Sequence, residues 1–257
     1  MIYVVLPAFN EEVGLPHVLD KIIQIQARTG ESFKTVVVDD GSKDRTSEIA
    51  ASYRSKTNLH LITFPQNQGV AEVFRQGFEY VCIDSKNPNE DIAIVLDSDN
   101  TQDPEVMLTM ASKIRGGDDL VIASRFEGEG KMIGCPFMRS LFSFGVMWIM
   151  RVLAGLPGIK DYSTFYRAYR VSLLAKGFKV YGARLLDGKG FSVAAGLLLK
   201  LGNLTSKMSE VPLILRYDLK GGTSGNKIMR TINGYIGLIG DYLKTNRFKS
   251  LMQSNLI

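Results

Sequence analysis

Three short stretches of the chain decide its fold: Ile2–Asn10 (IYVVLPAFN), Thr35–Ser42 (TVVVDDGS) and Ile92–Asn100 (IAIVLDSDN). In each stretch, a run of apolar and mostly β-branched residues ends in a polar or acidic group. Such runs are typical of strands that are buried on both faces of a parallel sheet. Between the first two stretches, apolar residues recur at helical spacing from Leu15 to Ile23, so the opening of the chain predicts a β-α-β unit.

The same alternation continues through the first half of the chain. Further strands are predicted at Leu59–Phe64, Ile92–Leu96 and Leu120–Ala123, and helices at Asp44–Ser55, Val70–Cys82 and Pro104–Arg115. Strands that alternate with helices at this spacing indicate an α/β fold with a Rossmann-like, doubly wound and mostly parallel sheet.

The regular alternation stops after Arg125. From there the sequence predicts a loop at Phe126–Lys131, an apolar helix at Gly134–Leu156, helices at Val171–Leu174 and Gly190–Leu201, a strand at Val211–Tyr217 and a helix at Ile228–Leu243. This change of pattern predicts one domain with two halves, residues 1–126 and 127–218, followed by a C-terminal segment, residues 219–257.

Composition limits the class of protein. Of the 257 residues, 45% are apolar and 22% are charged, which is enough for one large core and unlike a disordered chain. The net charge of +5 comes entirely from the stretch that begins at Arg216, which holds seven Lys or Arg and two Asp or Glu. A basic end of this kind suits phosphates or an anionic membrane, or is simply solvated. Its basic residues do not interleave with aromatic ones, so we expect no nucleic-acid partner.

The cysteines and the apolar segments bear on location. Cys82 and Cys135 have no C-x-x-C or metal-binding spacing, so a reducing, cytoplasmic setting is expected. Met1–Asn10 lacks a basic region and is followed by acidic residues, which predicts a strand and not a secretory signal. Gly134–Leu156 carries two arginines, and its longest uncharged run is shorter than the roughly 20 residues that a spanning helix needs. No transmembrane segment is predicted.

Polar side chains follow four of the predicted strands. In open parallel sheets, ligands bind outside the carboxyl ends of the strands, so the residues after each strand are the first candidates for a binding site. These groups are Pro7-Ala8-Phe9-Asn10-Glu11, Asp39-Asp40-Gly41-Ser42, Asp97-Ser98-Asp99 and Ser124-Arg125. The sequence therefore predicts that several carboxylates and one arginine converge at one sheet edge.

Clustered carboxylates repel one another unless a cation or hydrogen-bond donors compensate their charge. A divalent metal ion does this economically. In an extended Asp-x-Asp segment the two side chains point to opposite faces, so one can bind a hard cation while the other reaches a sugar or ribose. Taken singly, Asn10, Asp40 or Ser42 could instead cap a helix, and Asp97 and Asp99 could be solvated loop residues. Their coincidence at successive strand ends favours a binding site.

These motifs carry a resemblance. The segments PAFNE at residues 7–11, VVVDDGSKDRT at 36–46, NQG at 67–69 and LDSD at 96–99 resemble glycosyltransferase family 2, whose members have the GT-A fold. Later segments, ASR at 123–125, RS at 139–140, DYSTFYRAY at 161–169 and EVP at 210–212, resemble its branch of dolichol-phosphate mannose synthases and polyprenyl-phosphate glycosyltransferases.

The resemblance implies a role for individual residues. The base and ribose of a GDP- or UDP-linked sugar would be held by Pro7, Phe9, Glu11 and Asp39, with Ala8, Asp40 and Ser98 as further substrate-binding candidates. Asp97 would face the sugar or ribose, and Asp99 would bind Mn²⁺ or Mg²⁺, with Asp97 and Thr101 as further metal ligands. Phosphates would be bound by Arg125, Arg139, Arg216 and Lys227, with Ser224 as another substrate-binding residue and Asp161 as a catalytic one.

The chemical group that receives the sugar, the acceptor, determines whether a base is needed. A hydroxyl acceptor requires a general base, for which Asp161 and Glu127 are candidates, whereas a lipid phosphate is already anionic and requires positive charge to position it. The resemblance implies inverting transfer to a polyprenyl phosphate. For a cytoplasmic enzyme, the apolar face of Gly134–Leu156 and the basic tail predict peripheral contact with the membrane, and the alternatives for this helix are the core or a dimer interface. The alternatives are a soluble family-2 transferase that acts on a saccharide hydroxyl and a binding module without turnover.

Overall fold

The structure is a computed structural model that describes residues 1–188, 190, 192–220, 237 and 240. The helix predicted at Ile228–Leu243 lies outside these residues, apart from Gly237 and Gly240. Ser224 and Lys227 also lie outside them.

The described residues form alternating strands and helices, as predicted for the first half of the chain. The strands are β1 (Ile2–Ala8), β2 (Phe33–Asp39), β3 (Leu59–Thr63), β4 (Ile92–Val95), β5 (Leu120–Ser124), β6 (Lys131–Ile133), β7 (Arg167–Arg170), β8 (Met208–Pro212) and β9 (Ile214–Arg216). The helices are α1 (Gly14–Thr29), α2 (Thr46–Ser52), α3 (Val70–Asp84), α4 (Val106–Arg115), α5 (Phe137–Ala154), α6 (Val171–Tyr181) and α7 (Ser192–Gly202). Short 3₁₀ turns occupy Tyr53–Ser55, Gly182–Leu186 and Tyr217–Leu219.

A seven-stranded sheet with the order β3-β2-β1-β4-β7-β5-β8 forms the centre of the molecule. All neighbouring pairs are parallel except the two that involve β7, which runs antiparallel between β4 and β5. The mostly parallel sheet confirms the expected fold class. The chain leaves β1 toward β2 and β3 and then returns to the other side of β1 at β4, so β1 and β4 flank the point where the strand order reverses.

Helices cover both faces of this sheet. Along β1, Tyr3 and Val5 point into one core, which also includes buried residues of α3, α6 and α7. The alternate residues Ile2, Val4 and Leu6 point into the second core, which includes buried residues of α1 and α4. Because β1 is buried on both faces, its sequence reads as a continuous apolar run.

Strand β7 was not predicted, and its arginines explain why. Arg167 and Arg170 sit at the two ends of a four-residue strand, whereas interior strands are usually apolar. Arg167 is nevertheless fully buried, because its guanidinium donates to the backbone oxygens of Ala194 (2.6 Å) and Tyr162 (2.9 Å). A buried and paired arginine is allowed in a sheet but does not resemble a strand in the sequence.

The second half departs from the prediction in one more region. The single strand expected at Val211–Tyr217 is two strands, β8 and β9, followed by a 3₁₀ turn. Strand β8 pairs with β5 in the main sheet, whereas β9 pairs with β6 in a separate two-stranded sheet. The change of partner occurs at Leu213, whose N–H donates to the Ser124 oxygen of β5 at 2.8 Å and whose oxygen accepts the Lys131 N–H of β6 at 3.0 Å. The loop expected at Phe126–Lys131 therefore ends in β6.

Helix α5 confirms the predicted apolar helix. It exposes a stripe of large apolar side chains at helical spacing, Phe144, Trp148 and Val152, which are 46%, 61% and 74% exposed. Within the described residues, no helix combines the length and the apolar character needed to cross a bilayer.

Candidate functional site

The loops after β1 and β2 are tied together at the carboxyl edge of the sheet. The backbone N–H of Asn10 donates to Ser42 Oγ at 2.9 Å, and Asn10 Oδ1 accepts the backbone N–H of Lys43 at 2.9 Å. The N–H of Glu11 donates to Thr46 Oγ1 at 2.8 Å. Asn10 adopts a left-handed backbone conformation with φ of 56°, which asparagine tolerates better than most residues. These bonds fix the loops in one arrangement before any ligand binds.

These polar residues do not cap the first two helices, which was the alternative to a binding site. Neither α1 nor α2 has a side-chain hydrogen bond at its N-cap, and the N-cap residues are Val13 and Arg45. Asn10 and Ser42 instead bind each other's loops. The polar groups at these strand ends therefore shape the sheet edge.

Asp39, the last residue of β2, offers an unused hydrogen-bond acceptor. Its side chain is 1% exposed, and Oδ1 accepts the backbone N–H of Ser42 at 3.0 Å. Its Oδ2 is buried and has no hydrogen-bond partner in the described part of the chain. A buried carboxylate oxygen without a donor is costly, so this atom fits the N–H or O–H group of a ligand.

Asp40 has a different task from its neighbour. Its carboxylate accepts the backbone N–H groups of Gln68 at 2.6 Å and Gly69 at 3.0 Å, which holds the loop that leads into α3. Gly41 allows the turn between the two loops: its φ is +70°, and a Cβ there would lie 2.6 Å from the backbone carbon of Gln66. Asp40 thus positions a loop, although the sequence suggested it as a substrate-binding residue.

The ends of β1 and β4 are also joined. Ser98 Oγ donates to the backbone oxygen of Pro7 at 2.8 Å, so this side chain links the end of β4 to β1. Helix α1 begins close beside it, because a Cβ on Gly14 would lie only 2.5 Å from the Ser98 backbone oxygen. Ala8 is buried, whereas the Phe9 ring is 43% exposed at the strand end. An exposed aromatic ring at this edge offers a flat apolar surface to a ligand.

Two acidic side chains follow β4, and each is held by a neighbour. Gln102 Nε2 donates to Asp97 Oδ2 at 2.6 Å. Thr101 donates its hydroxyl to Asp99 Oδ1 at 2.6 Å and its N–H to the same oxygen at 3.1 Å. Thr101, expected as a metal ligand, thus orients Asp99, while Gln102 is a site residue that sequence reasoning did not assign.

The carboxylates of Glu11, Asp97 and Asp99 repel one another. Burial and the neighbouring charge of Asp99 raise the pKa of Glu11 to about 7, and the same two causes raise the pKa of Asp97 to about 7. Lys220 partly compensates them, because its Nζ lies 2.7 Å from Asp99 Oδ2. Burial alone would lower the pKa of Lys220, but the charges of Asp99, Glu11 and Asp97 outweigh burial and raise it. This basic residue was not singled out from the sequence.

The same cluster has some of the ligands that a metal ion needs. No group of three or more histidine, cysteine or acidic side chains among the described residues is arranged to hold a metal by itself. Mg²⁺ and similar hard cations, however, are usually held in nucleotide sites by one or two carboxylates together with substrate phosphates. Asp97 and Asp99 supply oxygen ligands of this kind, and a cation, the Lys220 ammonium, already lies against Asp99. The residues therefore fit a divalent cation that shares its ligands with a bound diphosphate.

Arg125 and Asp161 form a buried ion pair on the other side of the edge. Arg125 Nε donates to Asp161 Oδ2 at 2.8 Å and Nη2 donates to Oδ1 at 2.7 Å, and the side chains are 7% and 0% exposed. Burial alone would raise the pKa of Asp161, but the Arg125 charge and the hydrogen bonds lower it. The charge of Arg125 also partly offsets the rise in the pKa of Asp97, so the ion pair lies within electrostatic reach of the acidic cluster.

Glu210 supports this ion pair from β8. Its Oε1 accepts the backbone N–H groups of Lys160 and Asp161, both at 2.8 Å. The Lys160 side chain in turn pairs with Glu127 at 2.6 Å. Glu210, the first residue of the Glu-Val-Pro motif, thus holds the loop that carries Asp161.

The remaining candidates are Arg216, Arg139, Ser224 and Lys227. Arg216 is 43% exposed and pairs with Asp218 at 2.7 Å, while its backbone N–H donates to the Thr101 oxygen at 2.8 Å. Arg139 lies in the first turn of α5, but its side chain is outside the described part of the structure. Ser224 and Lys227 also lie outside the described residues.

Comparison with known proteins places the chain in a family. The model of Glycosyl transferase family 2 matches residues 3–178. A dolichol-phosphate mannosyltransferase of Pyrococcus furiosus is 32% identical over 193 residues, which are 72% of this chain and 52% of that protein. An undecaprenyl-phosphate mannosyltransferase of Micrococcus luteus is 25% identical over 210 residues, 81% of each chain. This chain thus spans about half the length of the Pyrococcus protein.

Solved structures agree on the fold. Glucosyl-3-phosphoglycerate synthase from Mycobacterium tuberculosis, crystallised with Mn²⁺, UDP and glucosyl-3-phosphoglycerate, superimposes with a TM-score of 0.64 at 19% identity, over 95% of this chain and 79% of that one. S. aureus TarS (residues 1–349) in complex with UDP-GlcNAc gives a TM-score of 0.57 at 18% identity, over 88% and 59%. Both likenesses support the GT-A fold. With its acidic strand ends, its mostly parallel sheet and the family model over more than half of its length, the chain belongs to glycosyltransferase family 2.

Proposed function

We propose that this protein is a metal-dependent, inverting glycosyltransferase that moves a sugar from a GDP- or UDP-linked donor to a polyprenyl phosphate at the membrane surface. The observation that carries the proposal is the carboxyl edge of the sheet. There, Asp39 Oδ2, which has no hydrogen-bond partner among the described residues, and the Asp97 and Asp99 carboxylates lie at the ends of β2 and β4, the two strands that flank β1 in a family-2 fold.

The donor would bind along this edge. Asp39 accepts a hydrogen bond from the base, and the exposed Phe9 ring and Pro7 provide its apolar contact. Glu11 and Asp97 are directed at the ribose or the sugar, where hydroxyl groups donate to carboxylates. The hydrogen bonds from Gln102 and Thr101 keep both aspartates in place, so little ordering is needed when the donor binds.

Asp99, with Asp97, would hold Mn²⁺ or Mg²⁺ beside the diphosphate. A bound divalent cation there supplies charge neutralisation for the departing diphosphate. The Mn²⁺ seen in the glucosyl-3-phosphoglycerate synthase complex supports this use of the fold. Arg125 adds fixed positive potential near Asp97 from its buried position.

The acceptor side favours a phosphate over a hydroxyl. Both oxygens of Asp161 already accept hydrogen bonds from Arg125, and Glu127 is paired with Lys160. Asp161 is therefore poorly placed to remove a proton, whereas a phosphate needs no base. The names of the relatives from Pyrococcus and Micrococcus, which are dolichol-phosphate and undecaprenyl-phosphate mannosyltransferases, support the same acceptor class.

Contact with the membrane would use α5. Its exposed residues Phe144, Trp148 and Val152 form an apolar stripe, and the basic residues from Arg216 onward supply cations for anionic headgroups. An enzyme held at the cytoplasmic face in this way meets a lipid phosphate at the depth of the headgroups.

The test is a transfer assay with matched acceptors. The protein is incubated with Mn²⁺, a panel of nucleotide sugars, and either a short-chain polyprenyl phosphate or the corresponding free alcohol. We expect sugar to be transferred to the phosphate only, and the transfer to be lost with a chelator. Transfer to a saccharide hydroxyl but to neither lipid would replace the proposal with the second candidate, a saccharide transferase. Binding of nucleotide sugars without transfer or hydrolysis would indicate a module without turnover.

A further inference from the structure

Lys220 reaches the acidic cluster from a distant part of the chain. Its Nζ lies 2.7 Å from Asp99 Oδ2, although the two residues are 121 positions apart, and their side chains are only 22% and 13% exposed. The segment that carries Lys220 is anchored independently. The backbone N–H of Arg216 donates to the backbone oxygen of Thr101 at 2.8 Å, and the 3₁₀ turn Tyr217–Leu219 leads from there to Lys220.

The two oxygens of Asp99 are used differently. Oδ1 accepts the hydroxyl and the N–H of Thr101, both from the same loop, so this oxygen is committed to local structure. Oδ2 accepts only the Lys220 ammonium among the hydrogen bonds of the described residues. It is therefore the oxygen of Asp99 that remains for a metal ion.

A metal ion and the ammonium cannot share this oxygen in their present positions. A divalent cation coordinates carboxylate oxygen at roughly 2.0 to 2.2 Å, which would place its double charge beside the Lys220 ammonium. Two cations at such a separation repel strongly in a partly buried site. Either the ammonium withdraws or the metal does not bind.

We propose that Lys220 is an internal counter-cation that competes with the divalent metal for Asp99 Oδ2. This inference rests on the proposed function, because that function supplies the metal. In the free protein Lys220 compensates the Asp99 carboxylate and weakens metal binding. The donor diphosphate then provides the negative charge that allows both cations to remain at the site, so metal and donor bind cooperatively.

The test measures metal binding directly, without turnover. Mn²⁺ is titrated into the nucleotide-free protein at constant ionic strength, and free Mn²⁺ is followed by electron paramagnetic resonance. We expect Lys220→Met to bind Mn²⁺ about tenfold more tightly than the wild type, a difference that corresponds to about 1.4 kcal/mol. Lys220→Arg keeps the positive charge, so its Mn²⁺ affinity is expected to stay within about a factor of two to three of the wild-type value.

Three controls make the result specific. Lys21→Met is the first control. Lys21 Nζ pairs with Asp103 Oδ1 at 3.0 Å, and Asp103 lies four residues after Asp99, so this variant also removes one lysine charge from a pair with an aspartate. Its Mn²⁺ affinity is expected to equal that of the wild type. Adding Asp99→Asn to Lys220→Met is expected to abolish the gain. Thermal unfolding of each variant without metal verifies that it is folded.

The outcomes are distinct. Equal or weaker Mn²⁺ binding by Lys220→Met, no binding by either protein, or an equal gain in Lys21→Met would overturn the proposal. If Lys220→Met binds Mn²⁺ more tightly but no nucleotide sugar is ever turned over, the competition at Asp99 stands and the proposed function fails. If transfer occurs and the Mn²⁺ affinities are equal, the function stands and the role of Lys220 fails.

Discussion

The two sides of the site are built on opposite plans. At the proposed donor edge, formed by the ends of β1, β2 and β4, a loop neighbour binds one oxygen of Asp99 and of Asp39 and leaves the other: Thr101 binds Oδ1 of Asp99, and the Ser42 N–H binds Oδ1 of Asp39. On the proposed acceptor side, two arginines that were expected to bind phosphate are paired with acidic residues of the chain itself: Arg125 with Asp161 in the interior, and Arg216 with Asp218 at the surface. The donor edge thus keeps carboxylate oxygens that its own loops do not use, whereas these two arginines would have to leave an acidic partner to bind a phosphate.

The largest effect is expected at the buried ion pair. Arg125→Met leaves Asp161 charged and without its main partner in the interior, which should lower the free energy of unfolding by about 3–5 kcal/mol. Urea denaturation measures this loss. Arg216→Met, at an exposed pair with Asp218, is the matched control and should cause no measurable change. Equal effects of the two substitutions would contradict the contrast between the buried and the exposed pair.

Asp99→Asn is expected to affect activity and not stability. The substitution removes the charge that would hold the metal while keeping the size of the side chain, and it should lower kcat/KM for sugar transfer about 10²–10³-fold. Steady-state transfer rates and thermal unfolding, measured on the same samples, separate the two effects. A variant with a near wild-type rate, or a wild type that is fully active in excess chelator, would remove Asp99 from the mechanism.

The buried pair also predicts a pH dependence of stability. Because the Arg125 charge and hydrogen bonds outweigh burial, the pKa of Asp161 is lower in the folded than in the unfolded protein, where it is about 3.9. The folded state then binds fewer protons near that pH, so this contribution is complete above the unfolded pKa and is lost as the pH falls through the folded one. Urea titrations between neutral and acid pH should show a steeper loss for the wild type than for the double variant Arg125→Met/Asp161→Leu. Parallel curves would mean that the pair does not titrate as described.

The smallest effect concerns the membrane. Trp148→Glu places a charge in the apolar stripe of α5 and should reduce co-sedimentation with anionic liposomes about fivefold, because the stripe loses its largest apolar side chain. Ile83→Glu is the matched control, since Ile83 is 81% exposed on α3, away from the stripe. Equal loss in both variants, or no binding by the wild type at low salt, would argue against α5 as the contact.

Local patterns made the donor edge predictable. An apolar run that ends in Asp39 or Asp97 indicates a buried strand and its carboxyl end without knowledge of the fold, and the parallel arrangement then brings such ends together. The sequence could not separate Asp40 and Ser98 from Asp39: in the structure the first two bind backbone groups, whereas one oxygen of Asp39 has no hydrogen-bond partner among the described residues. The contact of Lys220 with Asp99 joins residues 121 positions apart, and no spacing rule reveals it. Strand β7 could not be predicted for a related reason: Arg167 is buried because of a hydrogen bond to Ala194, which lies in another element.

The role of the sheet edge is tested by calorimetric titration of GDP and UDP into the wild type and Asp39→Ala, both with Mn²⁺. We expect the wild type to bind at least one nucleotide, and Asp39→Ala to raise its Kd about 10–100-fold, the value of one hydrogen bond to a charged group. The thermal stability of the variant should be retained in the same buffer. Absence of binding by the wild type, or equal Kd values for the two proteins, would contradict the assignment of the sheet edge as the nucleotide-sugar site.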